Sequence, residues 1–156
     1  MSMIIDGTNG LTFNNATTQN SGGKVLQVVN ATYSTSTSTT SSTYVDTGLT
    51  VSITPLFSTS KILIETFVSF GKNATNAQGK LQVVRNSTSI IEFEKGAPYT
   101  GTTLVLDVGS VGTTYLDSPA TTSATTYKIQ FAAQSGYIFI NDNNGFSTIT
   151  VMEIAG

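Results

Sequence analysis

The sequence predicts an all-β fold, a jelly-roll-like antiparallel β-sandwich with a short N-terminal arm. Three observations predict it. Period-two alternation runs through most of the chain, helical periodicity is almost absent, and Gly, Asn, Asp and Pro punctuate short segments rich in β-branched residues. About ten such segments at even spacing suit a sandwich better than any helical layer. At 156 residues the chain is long enough for one domain with a real core and too short for two.

Residues 1–23 read as an arm. Asp6-Gly7 and Asn9-Gly10 punctuate two small apolar pieces, Met3–Ile5 and Leu11–Phe13, and Ser21-Gly22-Gly23 reads as a joint. Such a segment cannot bury itself alone, so it is either an arm that docks on a partner or a frayed end; as an arm, its candidate docking residues are Ile4, Ile5, Leu11 and Phe13. The sandwich spans 24–156. Lys24–Tyr33 is its first strand; Ser34–Ser42, nearly pure Ser and Thr, is an exposed loop or irregular edge. Thr43–Thr54 is extended and stops at Pro55. Lys61–Phe70 is the clearest strand, with Ile62, Ile64, Val68 and Phe70 on one face and Leu63, Glu65 and Phe67 on the other.

Gly71–Gln78 is a polar loop, and Gly79–Asn86 with Thr88–Glu94 forms a hairpin around Asn86-Ser87. Gly96–Gly101 is a turn containing Pro98. Thr103–Val108 and Thr113–Asp117 read as two strands, closed by Ser118-Pro119. Thr125–Gln134 alternates through Tyr127, Ile129, Phe131 and Ala133. Tyr137–Ile140 and Phe146–Ile154 read as a last hairpin, because an Asn-Gly turn between alternating strands is the strongest short hairpin signal. Lys61–Phe70 and Phe146–Ile154 are apolar on both faces, whereas a sandwich strand needs only one. A loop or a neighbouring subunit can cover the second face; the subunit is the favoured reading, which makes Phe146, Ile149, Val151, Met152 and Ile154 candidate interface residues.

Charge is scarce. Asp, Glu, Lys and Arg make up 10% of the chain, against about 25% in an ordinary soluble domain. The net charge is −2 and the seven basic residues are scattered singly, so no basic stripe exists to displace counterions from nucleic acid. No apolar run reaches membrane-spanning length, and the first residues lack the pattern of a signal peptide. The expectation is a protein folded in a cytoplasm without export, binding neither nucleic acid nor the membrane interior.

The absence of His and Cys removes the commonest general base, the thiolate nucleophile and the usual zinc ligands, and no cofactor or metal motif is present. Paired carboxylates are the remaining catalytic device. Glu92 and Glu94 share one strand face about 7 Å apart, near glycosidase spacing, but their alternation with Ile91 and Phe93 is that of solvent-facing residues. Glu65 and Glu153 lie in apolar strands and are expected to be hydrogen-bonded or paired. Asn141–Gly145 lacks the ligand spacing of a calcium loop, and N-x-S/T sequons at Asn15, Asn30, Asn73 and Asn86 come with no export signal. Tyr33, Tyr44, Tyr99, Tyr115 and Tyr137 can stack on sugars or cap the core; Tyr99, in a Pro-Gly loop, is the candidate ligand-loop residue.

Gly10-Leu11-Thr12-Phe13-Asn14-Asn15-Ala16-Thr17-Thr18-Gln19 resembles the short G-h-T-F-x-D-G-T-x-Q segment (h apolar) of phage tail-fibre proteins, with Asn15-Ala16 where Asp-Gly is usual. The body resembles a domain of fibre and structural proteins of tailed phages. The matching pieces are Gly23–Val29, Ser60–Ile64, Tyr115–Pro119, Ala124–Tyr127 and Ser147–Ile154. It is similar, more loosely, to the trimeric jelly rolls of the tumour-necrosis-factor and C1q type, whose closing strand packs near the three-fold axis. The phage resemblance implies a homotrimeric β-sandwich on the bacteriophage virion and does not fix which part of it. The first reading is a virion structural protein without enzymatic activity, a capsid-decoration or head-fibre knob anchored to other virion proteins by its arm. The alternative is the tip of a tail fibre that recognises a host surface glycan through loops such as Ser34–Ser42, Asn73–Gln78 or Glu94–Gly101. A small carbohydrate-active enzyme using Glu92 and Glu94 is the third reading.

Overall fold

The structure, a computed structural model, describes residues 4–6, 10–12, 18–19, 25–97, 99–101 and 107–156. The strands before residue 20, and residues 107–108, are described by backbone alone. In the arm, β1 (Ile4–Asp6), β2 (Gly10–Thr12) and β3 (Thr18–Gln19) form a small antiparallel sheet with Ile4 opposite Thr12 and Leu11 opposite Gln19. Residue 13, one of the candidate docking positions, lies outside the described residues.

The body contains β4 (Val25–Tyr33), β5 (Thr37–Thr39), β6 (Val45–Ile53), β7 (Lys61–Lys72), β8 (Gln78–Arg85), β9 (Thr88–Ala97), β10 (Asp107–Asp117), β11 (Thr125–Ser135), β12 (Ile138–Ile140) and β13 (Ser147–Ile154). They form two antiparallel sheets. One has the order β6-β11-β8-β9. In the other, β13 and β12 lie end to end along one edge of β7, flanked in turn by β4 and β5, and β10 lies along the opposite edge of β7. Counting β4 with β5 and β12 with β13 as interrupted strands, the first, last, third and sixth strands make one sheet. The second, seventh, fourth and fifth make the other. This is the order of a jelly roll, as the sequence predicts.

The alternation decides the layers. Ile62, Ile64, Val68 and Phe70 of β7 point inward with Ile149 and Val151 of β13, and meet Leu81, Val83, Ile129 and Phe131 of the opposite sheet. Each such side chain contributes about 1.5–3 kcal/mol by leaving water. Tyr33 closes one edge: its ring crosses to β6 at Gly48, whose φ of +95° lies at a β-bulge opposite Ile129.

Three boundaries differ from the sequence-based expectation. Asn86-Ser87 does join β8 and β9 in a hairpin, with Arg85 opposite Thr88. Asn141–Gly145, however, is not a hairpin turn. β12 and β13 both pair with β7, Ile140 opposite Phe70 and Thr148 opposite Phe67, so the intervening residues are an excursion from one interrupted strand. Residues 107–108 and Thr113–Asp117, which the sequence assigns to two strands, belong to one: β10 runs along β7 from Asp107 with an irregularity before Gly109, because pairing with a long central strand overrides local Gly and Thr content, while residues 103–106 lie outside the described residues. Part of the Ser/Thr run forms the short edge strand β5.

Candidate functional site

The two outer faces of the sandwich differ in chemistry. On the β6-β11-β8-β9 sheet, Asp46, Gln130, Gln82 and Glu92 stand opposite one another in a row across all four strands. Gln130 Nε2 donates to Asp46 at 2.7 Å, Gln82 Nε2 to Gln130 at 2.8 Å, Ser89 Oγ to Gln82 at 2.7 Å, and Lys128 Nζ to Asp46 at 2.9 Å. The Tyr44 hydroxyl donates to Glu92, whose other oxygen lies 3.2 Å from Lys95 Nζ. Hydrogen bonding from Tyr44 and then Lys95 holds the Glu92 carboxyl below its usual range, so it stays ionised near neutrality. Glu94 Oε1 accepts the amides of Lys95, Gly96 and Ala97 at 2.8, 2.9 and 3.0 Å, capping its own turn. This face is a satisfied polar ladder.

The opposite outer face carries an apolar row. Val28 of β4, Met152 of β13, Leu63 of β7 and Leu116 of β10 are register partners in sequence across the sheet. Val28 is 58% exposed and Leu116 52%, with Met152 and Leu63 half-buried between them. Val25, Leu56 and Phe57 are also exposed. Gln27 and Glu153 hold the Thr54–Phe57 segment against the ends of β4 and β13. Gln27 Nε2 donates to Thr54 O at 2.8 Å and to Glu153 at 2.6 Å, and the Leu56 amide donates to Glu153 at 2.8 Å. Glu153 itself is wholly buried. Burial raises its carboxyl, but the bonds from Gln27 and the Leu56 and Phe57 amides outweigh this and leave it below the usual range. Glu65 is half-buried on the outer face, with Thr150 and Thr114 beside it in the register.

At the other end of this face lies a cleft of about 460 Å³. Its floor is Ser69 of β7, Ser110 of β10 and Thr148 of β13; Phe67 and the Asn143–Phe146 segment form its walls. Phe67 is 58% exposed and Phe146 63%. Gly112 stands opposite Phe67, and a Cβ there would come within 2.7 Å of ring Cδ1, so the ring leans across the β10 backbone. The excursion is fixed at its neck. Buried Asn141 donates its backbone amide to Ser69 O at 3.2 Å and its Nδ2 to Thr35 O at 3.3 Å. Ser147 Oγ donates to Asn141 Oδ1 at 2.6 Å and accepts the Ser69 amide at 3.1 Å.

The residues singled out from sequence divide by face. Met152 and Ile154 lie half-buried on the outer side, and Phe146 is on the cleft wall. Ile149 and Val151 are fully buried between the sheets, so their proposed place at a subunit surface is corrected: their strand alternates, and they occupy its inner face. Ile4, Ile5 and Leu11 lie in β1 and β2. Tyr99 is 58% exposed on a turn that buried Lys72 anchors, its amine donating to Thr75 O at 2.9 Å and to the Thr100 hydroxyl. Tyr33 reaches inward, and Tyr44 serves the polar ladder. Among the described residues no three His, Cys, Asp or Glu side chains come together as a metal site, and no helix is long and apolar enough to cross a membrane. The cleft was not anticipated; the outward register of Phe67 was its only trace in the sequence.

No protein-family model and no curated protein matches the chain. Among solved structures it is similar to the crystal structure of the infectious bursal disease virus VP2 subviral particle, with 13% identity and a TM-score of 0.49 over 89% of this chain. The chain spans 39% of that protein's length.

Proposed function

We propose that this chain is a structural subunit on the outside of a bacteriophage virion, a homotrimeric capsid-decoration or head-fibre knob with no catalytic role. The observation that carries the reading is the contrast between the two outer faces. The polar ladder of Asp46, Gln130, Gln82 and Glu92 suits solvent, whereas the row Val28, Met152, Leu63 and Leu116 suits contact with further copies of the same face. Three copies around one axis would remove the row from water, in keeping with the trimeric proteins that the sequence resembles. The arm, through Ile4, Ile5, Leu11 and Phe13, would dock on other virion proteins after synthesis in the host cytoplasm. Immunogold electron microscopy of intact particles with antibody to this chain tests the reading. Gold over the capsid supports the decoration role, and gold on no part of the particle overturns it.

A second reading, the receptor-binding tip of a tail fibre, is favoured by one specific observation: the cleft between Phe67 and Phe146. Gold confined to the tail tip would select it.

A further inference from the structure

We infer that the cleft beside the Asn141–Phe146 excursion binds a neutral saccharide. The inference deepens the receptor-binding reading and rests on it only for the source of the sugar, a cell-surface glycan. Two features of the lining select the chemistry. Phe67 and Phe146 offer exposed rings on which the C–H face of a pyranose can pack, and Phe67 is braced by the Gly112 backbone. The hydrogen-bonding groups around them, from Ser69, Ser110, Asn143 and Asn144, are hydroxyls and amides that donate and accept, as sugar hydroxyls require.

Among the described residues the cleft lining contains no charged side chain. A phosphate, carboxylate or ammonium would lose hydration there without a counter-charge, which disfavours nucleotides and acidic sugars. The volume of about 460 Å³ lies within the range of small-ligand clefts. The walls are also prearranged. Asn141, Ser147 and Ser69 lock the neck, and Gly145 lies so close to Ser69 that a Cβ would come within 2.6 Å of its hydroxyl oxygen. A loop already held in place loses little freedom when a ligand arrives. From Leu63 to Phe67 along β7 is about 13 Å, so the cleft and the apolar row occupy separate parts of the face.

Saturation-transfer NMR on the full chain, with glucose, galactose, N-acetylglucosamine and maltotriose as probes and glucuronate as the charged control, tests the inference. At least one neutral probe should bind, and more tightly than glucuronate. Phe67→Ala should weaken binding at least about tenfold, some 1.4 kcal/mol, while Phe67→Tyr retains it and the thermal midpoint stays unchanged. Asn144→Ala on the loop gives an independent loss. No binding of any neutral probe, unchanged binding in both Phe67→Ala and Asn144→Ala, or tighter binding of glucuronate would each overturn the inference. A fall in oligomeric mass on Phe146→Ala would also overturn it, by making the cleft wall a subunit contact. The purified chain is used, so failure here leaves the particle-labelling result standing, and the reverse also holds.

Discussion

The Glu153 carboxylate, buried at the end of β13, accepts the backbone amide of Leu56 at 2.8 Å and so ties the loop after β6 to the closing strand. Its pKa is lowered in the folded state. The stabilisation is therefore fully present above the unfolded carboxyl range and lost as pH falls through the folded value. Urea unfolding should show stability declining below about pH 4.5. Glu153→Gln should cost about 1–3 kcal/mol at pH 7, because its amide would confront the Gln27 amide as a second donor, and should flatten the acid limb. An unchanged acid limb would assign it to other carboxylates.

Self-association by the apolar row is tested by light scattering on the eluting protein. The wild type should show three times the 16.4 kDa chain mass at micromolar concentration, and Leu116→Glu with Val28→Glu should yield a folded monomer. Both side chains are exposed within the subunit, so the double variant should keep its unfolding midpoint once association is removed. A monomeric wild type would refute the trimer.

Arg85, Asp117 and Tyr127 tie the sheets together at one end. Arg85 Nη1 lies 2.8 and 2.9 Å from the two oxygens of Asp117, and the Tyr127 hydroxyl donates to Asp117 at 2.7 Å. Tyr127→Phe should cost about 1–3 kcal/mol. Arg85→Met, which strands a buried carboxylate, should cost about 3 kcal/mol or more. The double variant should fall short of the sum, as measured by a denaturant cycle. Additivity would show that the three do not act as a unit.

Gly48 and Gly101 separate close approach from backbone preference. Both have positive φ, +95° and +63°, but a Cβ at Gly48 would meet the Tyr33 ring at 2.3 Å, whereas at Gly101 no atom of the described residues lies within 4 Å. Gly101→Ala should cost about 1–2 kcal/mol from backbone conformation alone. Gly48→Ala should cost clearly more, and Tyr33→Ala should recover part of the difference. Equal thermal shifts for the two alanine variants would remove the Tyr33 contact from the account.

The sandwich was legible because its signals are local and repeated. Alternation in Lys61–Phe70 places Ile62 and Ile64 inside and Leu63 and Phe67 outside, as found. The hairpin at Asn86 is also a local event. The same Asn-Gly signal misleads at residues 144–145, because turn chemistry does not reveal whether two flanking strands pair with each other or with a third. That partner, β7, lies about seventy residues before β12 and more than eighty before β13. Ile149 and Val151 could have been kept from the interface by counting their alternation with Thr150 and Met152. The burial of Lys72 and the cleft were beyond reach, since both depend on segments brought together only by the sheet.

The independence of the sandwich from its arm has a simple check. Removing residues 1–20 should leave the thermal midpoint within about 2 °C, as surface changes do, and abolish incorporation into particles. Loss of folding would make the small β1-β2-β3 sheet part of the domain.

β13 lies between β4 and β7, so a strand that leaves the ribosome after every other described strand of the sandwich belongs between two that precede it by more than eighty residues. Until it arrives, β4 has no place beside β7, and the nascent chain carries an unfilled slot with two open strand edges. Completion of this sheet must wait for β13 to emerge, and a product truncated before Ser147 would offer that slot to any passing strand. Completion of the face is thereby coupled to synthesis of β13: only a polypeptide carrying that strand can present the face on which copies would meet.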